Sequence, residues 1–180
     1  MQIPDIHTAR LRLVTITPAL LELQENNPET LATQLNATLP QGWPGRDWEP
    51  HVYAFMRTQF QNHPHTIGWH RYVLLPEGNN LTMIGTLGSH PKGPNEAEIG
   101  YGIVDAWQNN GYATEATRAL LHHLFSLGQE RIRAQTFPHL AQSLRVMQKC
   151  GMKPAGTGEE PGAISYAIDR EDFLRHASVP

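Results

Sequence analysis

The chain has 180 residues, of which 39% are hydrophobic and 17% are charged, and its formal net charge at pH 7 is −3. This length fits one domain around a single core, so we expect residues 1–180 to form one domain. The mildly acidic balance argues against a nucleic-acid partner, and the lack of a long apolar run argues against a membrane protein.

The cysteine and histidine residues argue against disulfide bonds and metal sites. Cys150 is the one cysteine, which excludes an intrachain disulfide and a cysteine metal cluster. The ten histidines include no pair at a convincing metal-ligand spacing, so we expect no metal site. The N-terminal segment lacks a basic region followed by an apolar stretch, and a cytoplasmic location is the expectation.

The first half of the chain predicts one strand followed by helices. Thr17 and Pro18 suit the N-cap and first position of a helix. The loop over 39–50 is rich in Pro, Gly and Trp, and its aromatic residues either wall an acceptor pocket or belong to the core. The expected elements are a strand over 8–15 and helices over 17–26, 28–35 and 51–61.

From residue 67 onward the chain predicts mainly strands, with two helices between them. The expected strands in this part cover 67–75, 81–89, 96–104, 131–136, 152–159 and 162–169, and its expected helices cover 113–127 and 140–150. A strand, a helix and a strand of this size make a parallel crossover, whereas the three strands before the crossover form a meander. The order predicts an α/β domain with a mixed sheet flanked by helices.

The strand over 96–104 and the loop after it carry the strongest functional signal. Gly100 and Gly102 fall on one face of the strand, which indicates either close approach of a ligand or a bulge and tight packing. The polar loop Gln108–Gly111 then enters a helix, where backbone N–H groups and the helix dipole favour a phosphate. We therefore predict an elongated ligand along the strand, with a phosphate group at the helix start.

Four ordered segments carry a family resemblance. They are Arg10-Leu11-Arg12-Leu13, Glu98-Ile99-Gly100-Tyr101, Gln108-x-x-Gly111-x-Ala113 with its continuation to Ala116, and Ser143-x-x-Val146-x-x-Lys149-x-Gly151. Together they resemble the GNAT acyltransferases, in particular the branch of ribosomal-protein alanine N-acetyltransferases. The resemblance implies a mostly antiparallel sheet with a splayed parallel strand pair. It also implies acetyl-CoA or a related acyl-CoA as donor and an amine as acceptor, either a protein N-terminus or a small molecule, with the protein a monomer or homodimer.

The resemblance assigns the cofactor to the strand end and the loop. Pantetheine would pair with the strand backbone, and the pyrophosphate would accept hydrogen bonds from the amides of residues 108–113. The expected cofactor-binding residues are Ile103, Val104, Gln108, Asn109, Asn110, Gly111, Tyr112, Ala113 and Thr114.

Acyl transfer to an amine needs a neutral amine, a donor to the oxyanion and a proton for the leaving thiolate. Glu98 is the candidate general base, with a solvated edge glutamate as the alternative, and an N–H near Ile103 is the expected oxyanion donor. Many family members use a tyrosine to protonate the thiolate, but Met147 stands at that position. Ser143 is the candidate proton donor instead, with a first-turn cap as the alternative, and Leu140 replaces a frequent asparagine.

Two other functions fit parts of the pattern. A non-catalytic acyl-CoA-binding or regulatory module would keep the cofactor site without turnover, and the missing tyrosine and asparagine leave that reading open. A dinucleotide-binding fold is rejected because Gly100-x-Gly102-x-x-Asp105 lacks the third glycine and the helix starts too late.

Overall fold

A computed structural model describes residues 3–177 of the chain. Its helices are α1 (Pro18–Asn26), α2 (Pro28–Leu35), α3 (Pro50–Asn62), α4 (Tyr112–Ser126), α5 (Ala141–Lys149) and α6 (Arg170–Ala177). Its strands are β1 (Ile6–His7), β2 (Arg12–Thr15), β3 (Ala37–Thr38), β4 (Arg71–Glu77), β5 (Asn80–Gly93), β6 (Glu96–Ile103), β7 (Arg131–Thr136), β8 (Lys153–Thr157) and β9 (Ile164–Asp169). Two 3-10 helices lie at Pro64–Thr66 and Asp105–Trp107.

The strands hydrogen-bond in the order β1-β2-β4-β5-β6-β7-β9-β8, with β3 beside β5. Strands β6 and β7 are parallel, and α4 forms the crossover between them. Their pairing runs from Glu96–Arg131 to Ile99–Ala134, and both strands continue past the last pair. The predicted α/β class, with a mixed, mostly antiparallel sheet that contains a parallel strand pair, is confirmed.

The chain divides into two compact units. The first unit contains the described residues up to Gly88 together with Tyr101–Ala116, and the second contains Ser89–Gly100 together with the described residues from Thr117 onward. The expectation that residues 1–180 form one domain stays a prediction.

The core of the first unit lies between its helices and the sheet. Leu21 of α1, Leu31 of α2 and Met56 of α3 are buried in one cluster with Tyr72 of β4 and Met83 of β5. Tyr72 is fully buried in this core, and Trp69 is buried in the same unit. Trp43 and Trp48 are half-buried and pack against the cluster, so the loop aromatics belong at least in part to the core.

A buried arginine ties three segments of the first unit together. Arg71 is fully buried, and its Nε donates to the carbonyl of Gly68 at 3.0 Å. Its Nη1 donates to the carbonyls of Pro4 at 3.0 Å and Leu13 at 3.2 Å. Burial lowers the pKa of Arg71 to about 10, and the charge of Asp5 opposes that shift.

In the second unit, α4 buries one face whose residues recur mainly at three-and-four spacing. Its buried residues there are Thr117, Leu120, Leu121, Leu124 and Phe125. Strand β7 alternates buried and half-buried residues, as a strand with one face on a core should. The three-and-four spacing in the sequence also predicts Leu127 on this buried face, but Leu127 follows the end of α4 and is 52% exposed, so that prediction is wrong.

Two predicted strands start later than expected because turns take their first residues. The N–H of Thr8 donates to the carbonyl of Leu11, and the Thr8 hydroxyl accepts from the Leu11 N–H, both at 2.9 Å. Strand β2 therefore starts at Arg12. Gly68 adopts a φ of +105°, a left-handed conformation outside the strand region, and β4 starts at Arg71.

Candidate active site

The loop between β6 and α4 has the backbone geometry of an anion site. Asn109 and Gly111 have φ values of 63° and 81°, so left-handed residues lie on either side of Asn110. Such alternation turns successive N–H groups toward one concave side, an arrangement that binds anions. The N–H of Glu115 donates to the carbonyl of Gly111 at 3.0 Å, so Gly111 provides the first helical acceptor. The helix backbone offers no acceptor to the N–H groups of its first turn.

The side chains of this loop hold its shape. Gln108 Nε2 donates to the Ile103 carbonyl at 2.9 Å and to Asp105 Oδ1 at 3.0 Å. Asn110 Nδ2 donates to the carbonyls of Trp107 at 3.2 Å and Gln108 at 3.0 Å. These amide side chains bind the loop itself, and the Gln108 N–H donates to the Asp105 carbonyl at 3.2 Å. Binding of a phosphate by the backbone amides of 108–113 stays a prediction.

The backbone at the end of β6 distinguishes the two residues expected to bind pantetheine. The Val104 N–H donates to the Ile84 carbonyl, and the Val104 carbonyl accepts from the Trp107 N–H, both at 2.8 Å. Successive N–H groups of a strand point to opposite edges, so the N–H of Ile103 is directed away from β5. Ile103 is therefore better suited than Val104 to bind an extended ligand at that edge.

The face of β6 that carries Gly100 and Gly102, which we call the bare face, has open space beside it. No heavy atom of the described residues lies within 4 Å of a Cβ built on Gly100, and the nearest atom to one on Gly102 is Asp47 Oδ2 at 3.8 Å. At Gly85 of β5, in contrast, a built Cβ would lie 2.2 Å from the Gly102 carbonyl oxygen. Tight packing thus explains Gly85 but not Gly100, which leaves close approach of a ligand as the better explanation of the bare face.

Asp47 is a functional candidate that the sequence reasoning missed. Its neighbours in the chain are both anchored: Arg46 Nη2 pairs with Asp105 Oδ2 at 2.7 Å, and Trp48 Nε1 donates to Thr86 Oγ1 at 3.1 Å. The carboxylate next to Gly102 has the charge to bind an ammonium group. The signal in the sequence was a charged Arg-Asp pair inside an aromatic loop.

Glu98 lies in a polar cluster of the second unit. Its side chain is only 14% exposed, and Oε2 accepts a hydrogen bond from Gln135 Nε2 at 2.6 Å. His90 Nε2 lies 3.8 Å from Oε1, and Lys92 Nζ lies 4.0 Å from Oε2. Lys92 also pairs with Glu159. This environment differs from the solvated edge position that was the alternative for Glu98.

His90 is the second group that the sequence reasoning missed. Burial lowers its pKa below 6.5, Glu98 and Glu159 oppose that shift, and Lys92 adds to it. The imidazole is therefore neutral at pH 7 beside the Glu98 carboxylate. The expected strand over 81–89 ended one residue before His90, so His90 was not assigned to β5, which continues to Gly93.

The candidate proton donor lies on α5, also in the second unit. Ser143 is half-buried in the first turn of this helix. Met147, at the position of the usual tyrosine, is 1% exposed and packs in the core. Leu140 stands at the N-cap, is 45% exposed and makes no side-chain capping bond. The roles of Ser143 and Glu98 stay predictions.

Two further features bear on the class of protein. Among the side chains that the structure describes, up to residue 175, no group of three or more His, Cys, Asp or Glu is arranged to hold a metal ion. None of the helices in that part of the chain combines the length and the apolar character needed to cross a membrane.

Several solved structures share the fold. A GNAT-family acetyltransferase from Bacillus anthracis is 23% identical, with a TM-score of 0.63 over 93% of this chain and 99% of that one. RimL, a ribosomal alpha-N-protein acetyltransferase in complex with coenzyme A, is 22% identical, with a TM-score of 0.60 over 92% and 98%. RimJ from Mycobacterium smegmatis, in complex with CoA-disulfide, is 17% identical, with a TM-score of 0.58 over 91% and 83%. At these identities the likeness shows the fold alone.

Sequence comparison identifies the family. The uncharacterized N-acetyltransferase YnaD of Bacillus subtilis is 40% identical over 65 residues, which span 36% of this chain and 38% of that relative. A family model described as an acetyltransferase (GNAT) domain matches residues 10–153, well over half of the chain. This match shows that the chain belongs to the GNAT acetyltransferase family.

Proposed function

We propose that this protein transfers an acetyl group from acetyl-CoA to a primary amine by direct attack in a ternary complex. The observation that carries the proposal is the loop with left-handed residues at Asn109 and Gly111, which lies between the strand that carries Gly100 and Gly102 and the start of α4. Membership of the GNAT family supports the same cofactor.

The cofactor would bind along the end of β6 and the loop. The backbone of Ile103 would pair with pantetheine, with Val104 beside it, and the amides of residues 108–113 would bind the pyrophosphate, helped by the Thr114 hydroxyl. Hydrogen bonds to a charged group contribute about 1.5–3 kcal/mol each, so several of them can anchor a large cofactor. Bound acetyl-CoA supplies an activated thioester.

The chain would supply three functions for the transfer. Glu98 takes a proton from the amine, directly or through water, and a backbone N–H of the strand near Ile103 stabilises the oxyanion of the tetrahedral intermediate. As the C–N bond forms and the C–S bond breaks, Ser143 gives its proton to the thiolate. The products are an amide and free CoA, and the proton taken by Glu98 returns through solvent to Ser143.

The acceptor that suits this site is a weakly basic amine. At pH 7 an α-amine with a pKa of about 7.8 is roughly one-tenth neutral, whereas a lysine at about 10.4 is neutral in only about one molecule in 2500. A single partly buried carboxylate therefore fits a protein N-terminus or small amine better than lysine. RimL is an alpha-N-protein acetyltransferase, in line with this class. We expect a monomer or homodimer that acts in the cytoplasm.

A second function is favoured by one observation. Met147 is buried and Leu140 is apolar, so two polar groups that family members use are replaced. A non-catalytic acyl-CoA-binding or regulatory module would keep the loop and tolerate both replacements.

The test is an acetyl-CoA-dependent thiol-release assay against a panel of amines and short peptides, with mass measurement of the products, alongside calorimetric titration with CoA. CoA binding with thiol release and an acetylated product supports the enzyme. CoA binding without release from any acceptor supports the regulatory module. Failure to bind CoA contradicts both functions.

A further inference from the structure

Glu115, in the first turn of α4, is held by a turn near the start of the chain. Its Oε1 accepts from the Thr8 hydroxyl at 2.6 Å and from the Arg10 N–H at 2.9 Å. Its Oε2 accepts from Arg10 Nε at 2.7 Å and pairs with Arg10 Nη2 at 2.7 Å. Burial raises the pKa of Glu115, but the bonds from Thr8 and Arg10 and the Arg10 charge outweigh burial and lower it. The side chain is therefore a carboxylate at neutral pH.

A carboxylate suits an isolated helix start, but it conflicts with a phosphate at the same place. Glu115 follows the loop residue Gly111 by one helical turn and is only 18% exposed, so solvent screens its charge poorly. Two negative groups this close repel each other unless a cation lies with them. Arg10 is that cation, because its guanidinium binds Glu115 through two nitrogens.

The same guanidinium also fixes the loop. Arg10 Nη1 donates to the Asn110 carbonyl at 3.0 Å, and Nη2 lies 3.4 Å from a Cβ built on Gly111. The Arg10 Cζ stands 4.6 Å from the centre of the Tyr112 ring, a cation–π contact. In a planar trans peptide, the carbonyl of Asn110 and the N–H of Gly111 point in opposite directions. Holding that carbonyl toward Arg10 therefore turns the Gly111 N–H away from Arg10.

We propose that Arg10 is a cofactor-positioning residue: it offsets the charge of Glu115 and orients the Asn110–Gly111 peptide, so that the loop is preorganised for the CoA pyrophosphate. This inference rests on the proposed function. The turn Thr8–Leu11 then serves the cofactor site although it lies about a hundred residues earlier in the chain, since Arg10 and Glu115 are 105 residues apart.

The experiment is calorimetric titration with CoA of four proteins: the wild type, Arg10→Gln, Arg12→Gln and the double variant Arg10→Gln/Glu115→Gln. Arg12 is the matched control because it pairs with Asp5 at 2.7 Å, two residues further along the same segment. We expect Arg10→Gln to weaken CoA binding by about tenfold or more and Arg12→Gln by less than about twofold.

The double variant separates positioning from a structural role. The double variant has lost more contacts than Arg10→Gln. However, Arg10→Gln keeps the charge of Glu115 without its cation, whereas the double variant has no such charge. We therefore expect the double variant to bind CoA about threefold more tightly than Arg10→Gln. Binding no tighter than Arg10→Gln would overturn the inference, as would unchanged affinity in Arg10→Gln. A wild type that fails to bind CoA would overturn the proposed function itself.

Thermal unfolding shows whether each variant is folded. If Arg10→Gln is not, Arg10→Lys replaces it, because lysine keeps the charge but not the planar fork. We expect Arg10→Lys to weaken CoA binding by about threefold, and unchanged binding would overturn the inference.

Discussion

Gln135 Nε2 donates to Glu98 Oε2 at 2.6 Å, while Oε1 of the same amide accepts from the Glu159 N–H at 2.5 Å. The two bonds fix which end of the amide faces Glu98. They also leave Glu98 Oε1 on the side of His90, 3.8 Å from Nε2. The carboxylate is thus held by one oxygen, and the other is the atom suited to accept a proton.

Replacing Glu98 with Gln should lower kcat/KM for an α-amine acceptor by about a hundredfold or more, the usual contribution of a general base. The loss should shrink as pH rises above about 8, because the amine then loses its proton to water. The pH–rate profile measures both effects. The control is Glu96→Gln on the same strand, where Glu96 pairs with Arg133 at 3.3 Å. This variant should change kcat/KM by less than about twofold. An unchanged profile in Glu98→Gln would remove Glu98 from the mechanism.

Replacing Ser143 with Ala should slow CoA release from acetyl-CoA by about tenfold, because the alkyl thiolate then leaves without a positioned proton. An aryl thioester with a more acidic thiol should show almost no loss, since its thiolate leaves unprotonated. Ser126→Ala, which removes a hydroxyl bonded to the His123 carbonyl at 2.7 Å, is the control. A loss below about threefold with acetyl-CoA would leave Ser143 only the capping role.

Gly100→Ala and Gly85→Ala should have opposite effects, because only one of the two glycines is packed. A methyl at Gly100 meets open space, so the free energy of unfolding should not fall, while the KM for acetyl-CoA or acceptor should rise. A methyl at Gly85 would lie 2.2 Å from the Gly102 carbonyl, which should destabilise the fold by about 1–3 kcal/mol. Denaturant unfolding and steady-state kinetics on both variants check this. A normal KM in Gly100→Ala would argue that no ligand lies there.

The stability of the protein should fall as pH drops below about 6.5, in part because of His90. Burial lowers the pKa of His90 in the folded state, so the folded protein binds this proton less readily than the unfolded chain does. The stability that neutral His90 contributes is fully present above about pH 6.5, and it is lost as pH falls through the lowered pKa of His90. His90→Gln should therefore reduce the change in unfolding free energy between about pH 7.5 and about pH 5. His51→Gln, at a site whose side chain is 74% exposed, should not.

Local patterns predicted most of the fold. The strand over 131–136 and the helix start at Pro18, with Thr17 as its cap, match the structure residue for residue. Strand β5 runs on to Gly93, past the expected end of the strand at residue 89. The pairing of β5 with β4 ends at Leu87, so beyond that residue one edge of β5 has no β4 partner. The absence of an N–H on Pro91 is therefore tolerated there.

Other elements depend on contacts that a local pattern does not contain. Strand β3 has only two residues, and it pairs with Leu81 and Thr82 through tertiary placement. Strand β1 is equally short, and α6 starts directly after β9 without a break in the chain. Segments this short or this closely joined have no periodicity to detect.

The candidate site was predictable where it is continuous in sequence and not where it is assembled from distant segments. The loop over 108–113 was predicted because one stretch carries the glycine, the polar residues and the helix start. Arg10, Asp47 and His90 come to their partners from segments between 8 and 105 residues away in the chain. Contacts between segments so far apart depend on the tertiary structure, so the spacing of residues in the sequence does not predict them.

The buried guanidinium of Arg71 has a consequence for any shortened version of the chain. One of its acceptors is the Pro4 carbonyl, so the N-terminal segment completes the coordination of a charge deep in the first unit. Deleting Pro4 would remove a hydrogen-bond acceptor of the Arg71 guanidinium, which is buried and cannot bind water instead. A deletion series from this end should therefore produce an abrupt fall in melting temperature once position 4 is removed.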